Sequence, residues 1–244
     1  MTTLEGQNFE AEVTVRCLSC GVRDKTLCGA LECEELVHIN AIATARAFAP
    51  GDRLLEEGEG TSSVYNVLGG VVRLSRLLPD GRRAVAGFLF PGDFLGLTID
   101  VASPLTAEAV TAVETCRMER ARLNALFKRY PKLEHRLLSM TMSELAAGRE
   151  HMVLLARKTL RERMATFLVT FADRLAEDPA YPTLLKLPMG RADMADYLGV
   201  TVETISRCLA AMAEEGLITL LSPRRISLNA MERLRAIAED GAEG

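Results

Sequence analysis

Apolar residues along this chain follow three different rhythms, and each predicts a different kind of element. Over residues 46–118 they come in short runs, with Val64, Val67, Val71, Val72 and Leu74 as their β-branched or apolar members. Glycine turns break the runs at intervals of about ten residues: Pro50-Gly51-Asp52, Glu57-Gly58-Glu59-Gly60, Gly69-Gly70, Pro79-Asp80-Gly81 and Pro91-Gly92-Asp93. Short strands so evenly punctuated predict an antiparallel barrel or jelly roll, and Asp80-Gly81 between two apolar runs is a hairpin turn. From Pro131 to Arg157 the rhythm changes. Leu138, Met142, Leu145, Met152 and Ala156 recur at spacings of four, three, seven and four, with Arg149 the polar member of the same stripe. That is a long helix with a heptad-like seam, suited to pairing with a second copy.

The third rhythm lies in LPMGRADMADYLGVTVETISRCLAAMA, residues 187–213. It predicts a short helix over 192–198, a tight turn at Gly199-Val200 and a second helix over 202–212 capped by Thr201. Ala195, Leu198, Val200, Ile205 and Leu209 are the positions a helix-turn-helix buries between its helices. The exposed face of the second helix then carries Glu203, Thr204, Ser206 and Arg207. GLITLLSPRRISL reads as a two-stranded wing with Arg224 and Arg225 at its tip.

Composition narrows the function classes. The 244 residues are 48% hydrophobic and 25% charged, with a formal net charge of −4, which is ordinary globular composition rather than that of a basic nucleic-acid coat. No apolar run is long enough for a membrane span, and the acidic, polar start predicts no signal peptide. A single-strand stacking platform is disfavoured by zero Trp. Residues 151–244 hold 12 Lys/Arg against 13 Asp/Glu, so a reader in this region must rely on a few local cations, Arg191, Arg207, Arg224 and Arg225.

The cysteines are the anomaly. Four of the six, Cys17, Cys20, Cys28 and Cys33, fall within 17 residues, beginning with the C-x2-C pair Cys17-Leu18-Ser19-Cys20. In a reducing cytoplasm such clustering means metal or redox chemistry rather than disulfide staples. A zinc site would close on these four thiolates. An iron–sulfur cluster would also take four, one of which can come from a remote strand. A thioredoxin-like pair lacks its βαβ context. The spacing of the cysteines leaves zinc and iron–sulfur open. His38, His135 and His151 form no metal set with them, and no Cys–His or Ser–His arrangement points to an enzyme.

PGD, EGE, YNVLGGVVRLSR, DGR and FPGDFLG together resemble the cyclic-nucleotide-binding β-roll of the CRP/FNR family of bacterial regulators, and TVETISR resembles the recognition helix of its FNR-type members. The resemblance implies an α+β architecture: a cysteine-rich sensor segment (1–35), an N-terminal antiparallel β-roll of jelly-roll type (36–130), a long dimerisation helix (131–158), a C-terminal winged helix-turn-helix (159–236) and a disordered tail (237–244). Where members that bind cyclic AMP carry a ribose-binding Glu and a phosphate-binding Arg, this chain has Leu97 and Leu105, so no cyclic nucleotide is expected. RCLSCGVRDKTLCGALECEEL resembles the C-x2-C-x7-C variant of alphaproteobacterial oxygen sensors, and Cys116 stands at the place of their remote ligand. The resemblance therefore implies a [4Fe–4S] cluster on Cys17, Cys20, Cys28 and Cys116, with Cys33 spare and Cys208 a packing residue.

By the same resemblance, the cluster promotes homodimerisation through Leu138, Met142, Leu145, Arg149 and Met152 and binding to a TTGAT-type palindrome under low oxygen. Gly148 stands where such sensors carry an acidic residue opposing dimerisation, with Glu144 and Glu150 nearby. Arg207 can fork onto guanine O6 and N7 and Glu203 can accept from cytosine N4. Ser206 would meet the thymine region, and Thr204 and Arg191 the backbone. The 80–83 loop would touch RNA polymerase. The expected molecule is a cytoplasmic oxygen-responsive transcription regulator that binds double-stranded DNA; its alternative form is the same regulator with a zinc or thiol–disulfide switch.

Overall fold

Strand alternation decides which side chains reach which core. The computed structural model describes residues 17–96, 102–175 and 183–239. After three 3₁₀ turns, Arg23–Lys25, Leu27–Ala30 and Cys33–Glu35, a short helix α1 (Leu36–Asn40) leads into the strands. These are β1 (Ala43–Phe48), β2 (Arg53–Leu55), β3 (Ser63–Gly69), β4 (Val72–Leu77), β5 (Arg83–Leu89), β6 (Phe94–Leu95), β7 (Thr106–Ala109) and β8 (Val113–Glu119). They form two four-stranded sheets, in the orders β1-β8-β3-β6 and β2-β7-β4-β5. Tyr65, Val67, Leu95 and Val113 from the first sheet and Leu54, Val72, Leu89 and Ala107 from the second share one buried cluster. This is the β-roll interior. Val64 and Met118, one step out of phase, belong instead to a second cluster with Leu27, Leu31, Leu36, Ile39, Leu123 and Leu133. The period of two thus gives the first sheet a second buried face, and the cysteine-rich segment is what covers it.

Two helices follow, α2 (Arg120–Arg129) and the 27-residue α3 (Pro131–Arg157). The described residues divide into two compact units within α3: the chain up to Arg76 with Gly87–Glu144, and Leu77–Ala86 with the residues from Leu145 onward. The second unit contains α4 (Leu160–Leu175), β9 (Leu184–Lys186), α5 (Arg191–Leu198), α6 (Val202–Glu214), β10 (Ile218–Ser222), β11 (Arg225–Leu228) and α7 (Met231–Glu239). Its sheet has the order β10-β11-β9, so the wing expected to be two-stranded has three strands. α7 runs to Glu239, so residues 237–239 of the expected disordered tail are helical. Residues 240–244, like 1–16 and the Leu97 position, lie outside the described residues.

One glycine fixes how the cysteine segment meets the roll. Gly92 has φ +105°, and a Cβ there would lie 2.6 Å from Cβ of Lys25. The turn after β5 can approach the 3₁₀ turns this closely because it carries no side chain. Gly92→Ala is expected to lower unfolding stability by about 1–3 kcal/mol through left-handed strain plus this overlap. Urea melting checks it; an unchanged midpoint would refute the close-approach argument.

Candidate functional site

Three cysteines come to the candidate metal centre from the segment and one from the sheet. The C-x2-C pair is a tight turn, with Cys20 N–H donating to Cys17 O at 3.4 Å and Arg23 N–H to Cys20 O at 3.1 Å. Thr26 caps the next turn by accepting from Cys28 N–H at 3.2 Å. On the sheet, Cys116 of β8 is paired with Ala45 of β1 on one side and Asn66 of β3 on the other. The side chains of the even-numbered residues of β8 and β3 face the segment. A cavity of about 280 Å³ opens between the two, lined by Cys17, Cys20, Cys28, Asn40, Asn66 and Cys116, with Thr26 and Glu114 among its other neighbours. Cys33 is exposed and is not among the lining residues.

The chemistry of this lining fits a thiophilic metal group. Burial pushes the Cys28 thiol up to about 11, and the neighbouring Cys17 and Cys20 push the same way. A buried thiol raised in this way is protonated and inert unless a cation is brought beside it. Among the described residues, no group of three or more His, Cys, Asp or Glu side chains is already drawn together around a metal-ion position. Cys17 donates its thiol hydrogen to Asn40 Oδ1 at 3.5 Å.

The cysteine segment is also tied to α3. The Arg136 guanidinium donates to Asp24 O at 2.8 Å and Thr26 O at 3.4 Å. Lys132 pairs with Glu35 at 2.5 Å. Neither tie was legible in the sequence, since a long-range contact from a cation to backbone carbonyls leaves no local pattern. Two residues further along α3 the exposed stripe begins: Leu138, Met142, Leu145 and Met152 are 49–64% exposed, and Val153, which the heptad count omitted, is 51% exposed. Arg149 and Gly148 are exposed as well.

The second unit carries the candidate reader. Gly199 at φ +70° ends α5, and Thr201 caps α6 by accepting from Thr204 N–H at 3.2 Å. Ala195, Leu198, Ile205 and Leu209 are buried and Val200 is half-buried. Glu203, Ser206 and Arg207 are exposed on α6, while Thr204 is half-buried with its hydroxyl 2.8 Å from that of Thr201. Arg207 donates to Glu203 Oε1 at 2.7 Å, one helical turn back. Arg191 opens α5 and donates to the Met194 sulfur at 3.5 Å. Arg224 and Arg225 are exposed on the wing, and Cys208 is half-buried.

Several remaining side chains have structural partners. His151 stacks on Tyr197 with ring centroids 4.2 Å apart, Tyr130 Oη lies 3.0 Å from His38 Nδ1, and His135 is exposed. Within the second unit, Arg83 donates to Asp193 Oδ1 at 2.6 Å and to Asp196 Oδ2 at 2.7 and 2.9 Å, both on α5. In the roll, Leu105 is half-buried, and the largely buried Arg73 donates to Glu108 at 2.7 Å. No helix among the described residues is long and apolar enough to cross a membrane.

Comparison with known proteins agrees with this geometry. Residues 45–130 match the cyclic nucleotide-binding domain family and residues 162–237 the Crp-like helix-turn-helix domain family. The chain is 37% identical over 222 residues to the nitrogen fixation regulation protein FixK of Bradyrhizobium diazoefficiens, covering 91% of this chain and 93% of that one. It is 34% identical over 233 residues to the transcriptional activator protein FnrL of Cereibacter sphaeroides, covering 94% of each. The solved structure of FixK2 from Bradyrhizobium japonicum superposes with a TM-score of 0.75 at 36% identity, over 80% of this chain and 97% of that one. With a β-roll, a long helix and a capped helix-turn-helix whose exposed face carries Glu203, Ser206 and Arg207, the chain belongs to the CRP/FNR family and is a DNA-binding transcription regulator.

Proposed function

We propose that this regulator responds to oxygen: Cys17, Cys20, Cys28 and Cys116 hold a [4Fe–4S] cluster when oxygen is low, and the chain then pairs as a homodimer on a TTGAT-type palindrome. The observation that carries this reading is the single cavity lined by three thiols of the N-terminal segment and one of the sheet. Four thiols, one of them from a remote strand, are the donor set such clusters take. The group supplies, when bound, iron–sulfur bonds that dioxygen attacks.

The chain's own residues do the rest. Ligation from both walls by Cys28 and Cys116 ties the segment to the first sheet. That holds the Asp24 and Thr26 carbonyls in place, and they hold Arg136 on α3. The turns of α3 just beyond carry Leu138 and Met142, whose exposed side chains a second copy would bury. Fixing the segment thereby biases a monomer–dimer equilibrium. A two-fold dimer sets two α6 helices about one DNA turn, ~34 Å, apart. There Arg207 and Glu203 read bases, Ser206 meets the thymine region, and Thr204 and Arg191 contact the backbone. Arg83 is engaged by α5, so a polymerase contact falls to the exposed Asp80 and its neighbours. Leu105 offers a cyclic phosphate no charge and Arg73 is committed to Glu108, so no cyclic nucleotide takes part. A reducing cytoplasm, which keeps the thiols free, is the setting.

Iron and sulfide analysis of protein purified without oxygen tests this, with DNA binding and sedimentation measured before and after air. About four irons and four sulfides per chain, and a dimer and palindrome binding that air abolishes, are expected. A colourless preparation with one zinc per chain would overturn it in favour of a zinc or thiol–disulfide switch.

A further inference from the structure

One polar atom in the cysteine cavity has no partner. Asn66 is 1% exposed, lines the cavity, and its Oδ1 is buried without a hydrogen bond. It sits on β3 directly across from Cys116 on β8, on the same face of the sheet. Its other strand neighbour is Phe94 of β6, which provides no polar side chain. A buried carboxamide oxygen with no partner is costly and invites an explanation from what else occupies the cavity. Of the polar side chains around this cavity, which include Arg23, Thr26, Asn40 and Glu114, Asn66 is the one set beside Cys116 in the sheet.

We propose that Asn66 is a tuning residue for the metal group held by the four cysteines, its amide N–H donating to the Cys116 thiolate or to an adjacent sulfide. This rests on the iron–sulfur reading above. Sulfur in such a cluster accepts and does not donate, so the amide presents Nδ2, which a half-turn about the Cβ–Cγ bond brings to the place of Oδ1. Donation to sulfur disperses negative charge on the cluster, which raises its reduction potential and makes the sulfur less open to attack. On the iron–sulfur reading Cys116 is the sheet's ligand, and Asn66 on the paired strand is held in register with it. Asn66 therefore sets how readily oxygen is sensed, not whether the group is held.

Asn66→Leu keeps the branched heavy-atom shape and removes the donor; Asn66→Gln keeps the amide. Protein purified without oxygen is assayed for iron and sulfide, for midpoint potential, and for the rate at which visible absorption decays in air. In metal-free protein, melting temperature is measured. Asn66→Leu is expected to hold wild-type iron and sulfide, to have a lower potential, and to bleach about tenfold faster. Asn66→Gln should recover much of the difference. Without metal, Asn66→Leu should melt about 2–4 °C higher, because an unpaired buried carbonyl oxygen is gone; a merely structural asparagine would give a lower melting point.

Equal potential and decay in Asn66→Leu and wild type would overturn the proposal while leaving the iron–sulfur reading intact. So would loss of iron from both variants with apo melting unchanged, which would make position 66 part of the cavity's shape alone. Wild-type protein free of iron and sulfide would instead overturn the iron–sulfur reading, and this inference with it.

Discussion

Cys116→Ser protein purified without oxygen is expected to be colourless, with iron and sulfide near zero, while Cys33→Ser retains the wild-type content of both. The contrast follows from placement. Cys116 is the sheet's contribution to the cavity, and Cys33 is exposed and outside its lining. Without the sheet's thiolate, Cys17, Cys20 and Cys28 do not suffice to hold the group, and nothing ties the segment to β8 through it. Coupling between two sites of a protein amounts to about 1–3 kcal/mol, so palindrome affinity should fall roughly 5–150-fold. Helical content and melting of the metal-free variant should match wild type, because Cys116 is half-buried and Ser is nearly isosteric. Iron retained in Cys116→Ser but lost in Cys33→Ser would reverse the ligand assignment.

Arg207→Ala should weaken binding at one guanine of each half-site by about 1–3 kcal/mol, and discrimination at that base pair should relax. Folding should barely change. The Arg207–Glu203 pair is 73% and 75% exposed, and exposed pairs one helical turn apart contribute only about 0.3–0.5 kcal/mol. Binding loss thus exceeds any folding loss, and the two are separable by melting the variant alone. Arg225→Ala on the wing supplies the contrast: a phosphate contact should weaken all sequences alike and reduce the salt dependence by about one ion. A binding-site selection on both variants measures this. Unaltered base preference in Arg207→Ala would remove Arg207 from the reading set.

The two sites differ in how far the sequence exposes them. The reader is local: Thr201, Glu203, Thr204, Ser206 and Arg207 lie within seven residues, so cap and exposed face follow from helical period alone. The cysteine cavity is not. Its fourth thiol is 88 residues beyond Cys28 and shares the cavity only because β8 pairs with β1 and β3. The family resemblance pointed to Cys116; residue spacing alone left zinc and iron–sulfur open.

What the sequence determined by itself was the kind and order of elements. Turns at intervals of about ten residues dictated short antiparallel strands, the three-and-four stripe of α3 dictated a helix with an exposed apolar face, and Gly199 with Thr201 dictated a helix-turn-helix. Local propensity, period and capping act over a few residues, and such signals survive in a single chain. Tertiary structure decided the rest. The third wing strand Leu184–Lys186 is too short to show a period and exists because β11 offers it an edge. Asn66 reads as an ordinary strand residue until register sets it opposite Cys116, and Arg136 reads as a solvated helix cation until the Asp24 and Thr26 carbonyls meet it. Register and long-range packing are properties of pairs of segments, and neither segment carries the information alone.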